Sequence, residues 1–307
     1  MSKTAFLFPG QGSQTVGMLA DLGEETMIRQ TFQEASGALG YDLWTLIQDG
    51  PETELNRTEK TQPALLTASV ALWRLWQQEG GARPDLLAGH SLGEYSALTC
   101  AGVINLGDAV RLVEKRGQLM QQAVPPGEGA MAAILKLEDQ QVADACAEAA
   151  QGGVVEPVNL NAPGQVVIAG DREAVARAIE ACKAAGGRAM PLPVSVPSHC
   201  ALMKPAADRL AEELAGLRLH AAEIPVINNV DVASESDPEQ IRDALVRQLY
   251  CPVRWVETIR ALAENGVTRG YECGPGKVLA GLVKRIDRDM TILALDSKAA
   301  FDSALQG

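Results

Sequence analysis

Aromatic residues make up only 4% of the 307 residues, there are three histidines, and no cysteine pair has the Cys-x-x-Cys spacing of a metal or redox motif. The six cysteines, Cys100, Cys146, Cys182, Cys200, Cys251 and Cys273, stand 18 to 51 residues apart. That spacing argues against a zinc site or a small disulfide framework, and for reduced thiols. Basic residues are outnumbered, 27 Lys and Arg against 39 Asp and Glu, for a net charge of −12. Broad nucleic-acid binding is excluded on that balance, because phosphate contacts need a basic surplus. No apolar run approaches the ~20 residues of a membrane helix, and the stretch Ala5 to Phe8 is too short for a secretory signal. The expectation is a cytoplasmic protein. With 47% hydrophobic and 21% charged residues, disorder, collagen and coiled coil are poor fits, and the length allows a large core.

Short apolar runs alternate with amphipathic stretches, the pattern of α/β architecture. Thr4 to Phe8 reads as a buried strand ended by Pro9-Gly10-Gln11-Gly12. Apolar residues at helical spacing from Thr61 to Gln78 predict a core helix, and Leu86 to Ala88 a strand that leads through Gly89-His90-Ser91-Leu92-Gly93 into a helix. From about Gly129 to Val194 the order becomes strand (Ala130 to Leu137), helix (Glu138 to Ala150), strand (Val154 to Leu160), turn (Asn161-Ala162-Pro163-Gly164), strand (Gln165 to Ala169), helix capped by Asp171, and strand (Arg188 to Leu192). This βαββαβ order matches a ferredoxin-like unit. The larger pattern then resumes, with helices at Leu202 to Ala215, Pro238 to Leu249 and Val278 to Ile286, and strands at Ile224 to Ile227, Val267 to Glu272 and Thr291 to Leu295. The organisation expected is a larger α/β body, 1–126 and 196–307, interrupted by a small subdomain at 127–195.

Gly89-His90-Ser91-Leu92-Gly93 fits G-x-S-x-G between a predicted strand and a predicted helix, the context of a nucleophile elbow. The alternative is a tight turn whose serine only caps the helix. A serine hydroxyl needs a neighbouring base. His90 adjoins Ser91 and should point elsewhere, and His220 near a helix end reads as solvated. His199, in Val196-Pro197-Ser198-His199-Cys200, lies where the chain returns to the body and lines a cleft on this reading; otherwise it is a helix-start residue. Arg116 falls within the apolar stripe of the helix Asp108 to Gln121, three residues after Val113 and four before Met120. A buried guanidinium must find an anion or line a cavity. Its planar fork suits a substrate carboxylate, with an internal Asp or Glu, or escape to solvent, as the alternatives. The Gln11 loop lacks the Lys-Ser/Thr ending of a phosphate loop; its backbone N–H and that of Leu92 are candidates for an oxyanion hole. Gly274-Pro275-Gly276-Lys277 reads as a tight strand-to-helix turn.

These residues together resemble the malonyl-CoA:acyl carrier protein transacylases of bacterial type II fatty-acid synthesis, over nearly the whole chain. The likeness is carried by Phe8-Pro9-Gly10-Gln11-Gly12-Ser13-Gln14, Gly89-His90-Ser91-Leu92-Gly93-Glu94-Tyr95, Arg116, Asn159-Leu160-Asn161-Ala162-Pro163-Gly164-Gln165, Val196-Pro197-Ser198-His199 and Gln248-Leu249-Tyr250. The resemblance implies Ser91 as nucleophile, His199 as base and acid, Arg116 as the grip on the malonyl carboxylate, Gln11 and Leu92 as oxyanion donors, and Gln248 as the residue whose carbonyl orients His199. It implies an α/β-hydrolase-like body with an inserted ferredoxin-like subdomain, malonyl-CoA and acyl carrier protein as partners, and no metal or redox cofactor. Cys251 departs from the pattern, where Asn is common. An acidic carrier protein would need a basic patch on this acidic chain; Lys284, Arg285 and Arg288, in a predicted helix, are candidates, with Lys204 a further one. A solvated helix face explains the same cations. The elbow is shared with esterases and thioesterases, which carry an acid between nucleophile and base, where Asp171 stands. A non-catalytic scaffold and a malonyl transferase of malonate decarboxylase or of a polyketide pathway are the other readings.

Overall fold

Four consecutive apolar residues, Ala5 to Phe8, are buried on both faces of β1 (Lys3–Phe8), as a parallel strand covered by helices on either side requires. The computed structural model describes residues 3–194 and 196–306. After β1 come α1 (Thr26–Leu39), α2 (Leu43–Asp49), α3 (Glu52–Leu55) and α4 (Thr58–Gln78). The first three of these helices are absent from the hydropathy reading. In α1 the buried stripe is Ile28, Thr31, Phe32 and Ala35, at a spacing of one helical face but interrupted by polar residues. β2 (Leu86–Gly89), α5 (Leu92–Cys100) and α6 (Leu106–Ala123) follow.

The next stretch builds a second sheet from β3 (Gly129–Leu135), α7 (Asp139–Ala150), β4 (Val155–Ala162), β5 (Gln165–Asp171), α8 (Arg172–Ala184) and β6 (Arg188–Pro191). Its strands run antiparallel in the order β4-β5-β3-β6. Ile134, Val166 and Ile168 pack with Val142, Cys146, Val175 and Cys182 of the two helices in one apolar cluster. Two local expectations are corrected here. Asn161 and Ala162 belong to β4, so the turn shrinks to Pro163-Gly164, where Gly164 takes a φ of 68°. Asp171 stands at the N-cap of α8 without capping it; its Oδ2 accepts from the Val154 N–H at 2.6 Å.

A 3-10 turn, Ala201–Met203, then leads to α9 (Lys204–Ala215), β7 (Val226–Ile227), α10 (Pro238–Gln248), α11 (Trp255–Glu264), β8 (Val267–Glu272), α12 (Val278–Ile286), β9 (Thr291–Ala294) and α13 (Lys298–Leu305). The first sheet is wholly parallel, ordered β7-β2-β1-β8-β9. The chain grows to one side of β1 through β2 and β7, then crosses to the other through β8 and β9. Ligands of open α/β sheets bind at the carboxyl ends of strands beside such a reversal. Phe8 pairs with Gly89 in register, so the loops after β1 and β2 leave side by side. β4 of the second sheet is tied to the loop between α10 and α11 by Leu160 N–H to Val253 O at 3.0 Å and Val253 N–H to Val158 O at 2.9 Å. All six cysteines are free, and among the described residues no helix is long and apolar enough to cross a membrane.

Candidate active site

Ser91 makes the turn between β2 and α5 almost alone, with φ 52° and ψ −110°, a conformation that ordinary side chains rarely adopt. The flanking glycines are dictated by contact. A Cβ on Gly89 would stand 1.9 Å from the Gly93 carbonyl carbon, and one on Gly93 would stand 2.0 Å from the Phe8 carbonyl oxygen. Ser91 occupies the N-cap position, yet its hydroxyl makes no capping hydrogen bond. Its Oγ lies 2.7 Å from His199 Nε2 instead. Asn229 holds the turn from outside: its Oδ1 accepts from the Ser91 N–H at 2.7 Å and its Nδ2 donates to the Gly89 carbonyl at 2.7 Å.

His199 also has a positive φ, 65°, on a loop tied down by its N–H to the Leu249 carbonyl at 3.0 Å. Nδ1 lies 2.7 Å from the Gln248 carbonyl. A carbonyl only accepts, so the proton of the neutral ring sits on Nδ1, and Nε2 is left to accept from the Ser91 hydroxyl. Burial, and after it the charge of Arg116, pushes the His199 pKa down from 6.5 to about 3. The ring is therefore neutral at ordinary pH. His90 is turned away, with Nε2 2.7 Å from Asn161 Oδ1 and its ring edge-on to Trp255. His220 is exposed.

Arg116 projects from the buried face of α6 and is 1% exposed. Nη1 donates to Gln62 Oε1 at 2.9 Å, and Nη2 to Gln248 Oε1 at 3.1 Å and Ser91 Oγ at 3.4 Å. Its Nε has no hydrogen-bond acceptor among the described residues, and the guanidinium lies 5.2 Å from the centre of the Tyr95 ring. Among the described residues no carboxylate forms an ion pair with it. Escape to solvent and a direct ion pair with an internal Asp or Glu are both ruled out; Glu94 acts on the guanidinium only at a distance, and the groups in contact with it are neutral. The Gln11 loop runs against the elbow, since a Cβ on Gly10 would fall 2.6 Å from the His90 carbonyl oxygen. The Gln11 side chain reaches Thr58 Oγ1 at 3.4 Å, while the backbone N–H groups of Gln11 and Leu92 make no hydrogen bond among the described residues.

A sequence profile of the family described as acyl transferase domain matches residues 5–293. The chain belongs to the acyl transferase family. This acyl transferase is 64% identical to the malonyl CoA-acyl carrier protein transacylase of Salmonella typhimurium, across 99% of each chain. It superposes with a TM-score of 0.97 and 63% identity on the crystal structure of an acyl carrier protein S-malonyltransferase from Vibrio cholerae, covering 98% of this chain and 99% of that one. A malonyl-transacylase solved in complex with a type II PKS acyl-carrier protein matches with a TM-score of 0.98 and 60% identity over 99% of both chains.

Of the cations singled out in the acyl transferase sequence, Lys284 and Arg285 lie on the exposed side of α12. Arg288 lies beyond the end of that helix, which stops at Ile286, and so is corrected from a helical position to the loop after it. Arg285 hydrogen-bonds Gln165 Oε1 and, at 3.2 Å, the Pro163 carbonyl, bracing the second sheet. Lys204 pairs with Asp208 at 2.6 Å and lies 4.9 Å from the centre of the Tyr250 ring. Cys251 is half-buried; its backbone N–H goes to the Arg247 carbonyl at 2.9 Å, and the contacts named above hold His199 from Gln248 and Leu249. Three further residues escaped the sequence reading. Gln62 had no signal beyond its register on α4, and Asn229 had none, lying in a loop after a two-residue strand. Glu94, printed in the elbow motif itself, is buried, and burial pushes its pKa up to about 7.

The His199 geometry has a consequence for pH. Its folded pKa lies below its unfolded one, so the unfolded chain takes up the proton first as pH falls. Its contribution to stability is complete above 6.5 and is lost as pH falls toward about 3. In nitrogen-detected NMR the imidazole is expected to stay neutral, with the proton on Nδ1, between about pH 5 and 8. An imidazolium signal near about pH 6 would contradict the buried arrangement.

Proposed function

We propose that this acyl transferase moves the malonyl group from malonyl-CoA to the phosphopantetheine thiol of an acyl carrier protein through a malonyl ester of Ser91, supplying fatty-acid elongation. The observation that carries this reading is the convergence on one oxygen: Ser91 Oγ is 2.7 Å from His199 Nε2 and 3.4 Å from Arg116 Nη2. Nucleophile, base and a carboxylate-seeking cation thus surround a single reacting point. Ser91 Oγ attacks the thioester carbonyl as its proton passes to His199 Nε2. The backbone N–H groups of Gln11 and Leu92 receive the oxyanion, and the C–S bond breaks as His199 returns the proton to the CoA sulfur. The carrier protein thiol repeats the sequence on the serine ester. The Gln248 carbonyl keeps the Nδ1 proton in place, and Arg116 grips the free malonyl carboxylate.

The finer architecture belongs to the same reading. An α/β-hydrolase-like body over 1–126 and 196–307 is supported by the parallel sheet with its reversal at β1. An inserted ferredoxin-like subdomain over 127–195 is supported by the β4-β5-β3-β6 order; Ser195, at its border, lies outside the described residues. Lys284 and Arg288 are the candidate carrier contacts, because Arg285 already serves the Pro163-Gln165 hairpin, and Lys204 is the further one. A second use, loading a polyketide carrier protein, is favoured by the 60% identity to the transacylase of a type II PKS acyl-carrier protein. Hydrolysis is disfavoured, since Asp171 is spent on the Val154 N–H.

Intact-mass analysis after mixing with malonyl-CoA should find a malonyl adduct on the peptide containing Ser91, removed when carrier protein is added. Free malonate as the main product would make the enzyme a hydrolase, and absence of any adduct would leave a binding scaffold. Comparing fatty-acid and polyketide carrier proteins in the chase identifies the pathway. Arg116→Ala should lose malonyl transfer by about 10²-fold or more while retaining acetyl transfer, as expected when a buried charge pair is removed. Equal loss for both acyl groups would make Arg116 structural. Charge reversal at Lys284 and Arg288 together should raise the KM for carrier protein, an effect that weakens with added salt, and leave the Ser91 acylation rate by malonyl-CoA as it was.

A further inference from the structure

Glu94 is 2% exposed, in the first turn of α5, and none of the steps above uses it. Its Oε2 accepts from two donors, the Asn229 backbone N–H at 2.9 Å and Gln248 Nε2 at 2.8 Å. Each donor is itself fastened to the reacting groups. Asn229 carries the Ser91 N–H and the Gly89 carbonyl on its side chain. The Gln248 amide donates to the Ser91 carbonyl at 3.0 Å, accepts from Arg116 Nη2 at 3.1 Å, and its backbone carbonyl takes the His199 Nδ1 proton at 2.7 Å. Asn229 and Gln248 are fully buried, so neither has water as a substitute partner. The two reach this oxygen from different stretches of chain, the loop after β7 and the end of α10, and Glu94 is the group that holds them at a fixed separation.

We propose that Glu94 is a positioning residue of the acyl transfer: its single oxygen Oε2 locks Asn229 and Gln248 together and thereby sets Ser91, His199 and Arg116 relative to one another. Glu94 touches no reacting atom; its hydrogen bonds run only to these two neighbours, and its charge acts on Arg116 at a distance. The requirement is an acceptor at a given reach, not a charge, and that distinguishes three substitutions. Glu94→Gln keeps the length and a carbonyl oxygen able to accept both hydrogen bonds. Glu94→Asp keeps the charge and withdraws the oxygen by one methylene. Glu94→Met keeps much of the volume and accepts neither.

The inference rests on the malonyl-transfer reading, so the test measures kcat per acylatable Ser91, counted from the malonyl adduct, together with the malonyl-to-acetyl rate ratio. Misplacement of reacting groups by about 1 Å costs on the order of 10²-fold, which is the loss expected for Glu94→Met; Glu94→Asp should lose about tenfold and Glu94→Gln less than about fivefold. The malonyl-to-acetyl ratio should narrow in the Asp and Met variants, because Gln248 no longer steadies Arg116, and be largely restored in the Gln variant. A residue that serves stability alone would lower the melting temperature and the number of acylatable sites, and leave the per-site rate and the ratio as in the parent. If Met does not fold, Asp against Gln still decides. Parity between them, or an Asp variant faster than the Gln variant, overturns the inference. A parent enzyme that forms no Ser91 adduct would instead defeat the malonyl-transfer reading itself.

Discussion

A guanidinium held 1% exposed with only neutral side chains against it is the constraint around which the rest of this site is arranged. Burying a charge without an opposite one is costly, and hydrogen bonds from amides offset only part of that cost. The fold supplies those amides from two directions. Gln248 comes from the end of α10, and Gln62 from α4, which lies so close to α6 that a Cβ on Gly117 would stand 2.6 Å from the Glu59 Cα. Tyr95 adds the face of its ring. What these partners leave unmet is the charge itself.

The second constraint is the backbone of the elbow. β1 and β2 lie side by side, and α5 starts so near both that residues 89 and 93 have no room for a side chain. The packing lifts Ser91 Oγ toward His199 and gives Ser91 a dihedral pair that only surrounding contacts can sustain. Those contacts come from sequence-distant segments. Asn229 enters from the far edge of the parallel sheet, and Asn161, on the antiparallel sheet, takes the His90 ring and keeps it away from the hydroxyl. The bridge between Val253 and β4 fixes Asn161 for that task.

How much of this could be read beforehand depended on whether the signal was local. The elbow, the βαββαβ order and the register of Arg116 are written within windows of a few to a few tens of residues, and the structure has them where hydropathy and glycine spacing put them. The thin apolar stripe of α1 fell below what periodicity can detect, and α11 and α13 were passed over as well. Arg285 looked like a surface cation because its partners, Pro163 and Gln165, are more than a hundred positions away. Gln62 and Asn229 were invisible for the same reason: an amide in a sequence carries no mark of the polar group it will meet. Asp171 shows the converse error, in which a local rule about helix caps was outcompeted by a nearby unpaired N–H.

Charge and base are coupled in a way that bears on acyl selectivity. His199 is kept neutral first by burial and then by the adjacent Arg116 cation, which opposes the imidazolium that the proposed mechanism forms as Ser91 gives up its proton. On the proposed mechanism a carboxylate seated on Arg116 would cancel much of that opposing field, so the base would become stronger with a diacid thioester in the site. On the same mechanism an acyl group without a carboxylate would bring no such compensation: it would forgo the pairing with the guanidinium and also meet a base still held weak by the uncompensated charge. Discrimination would then be exercised in the transition state as well as in binding, which is the way a single buried cation can sort substrates.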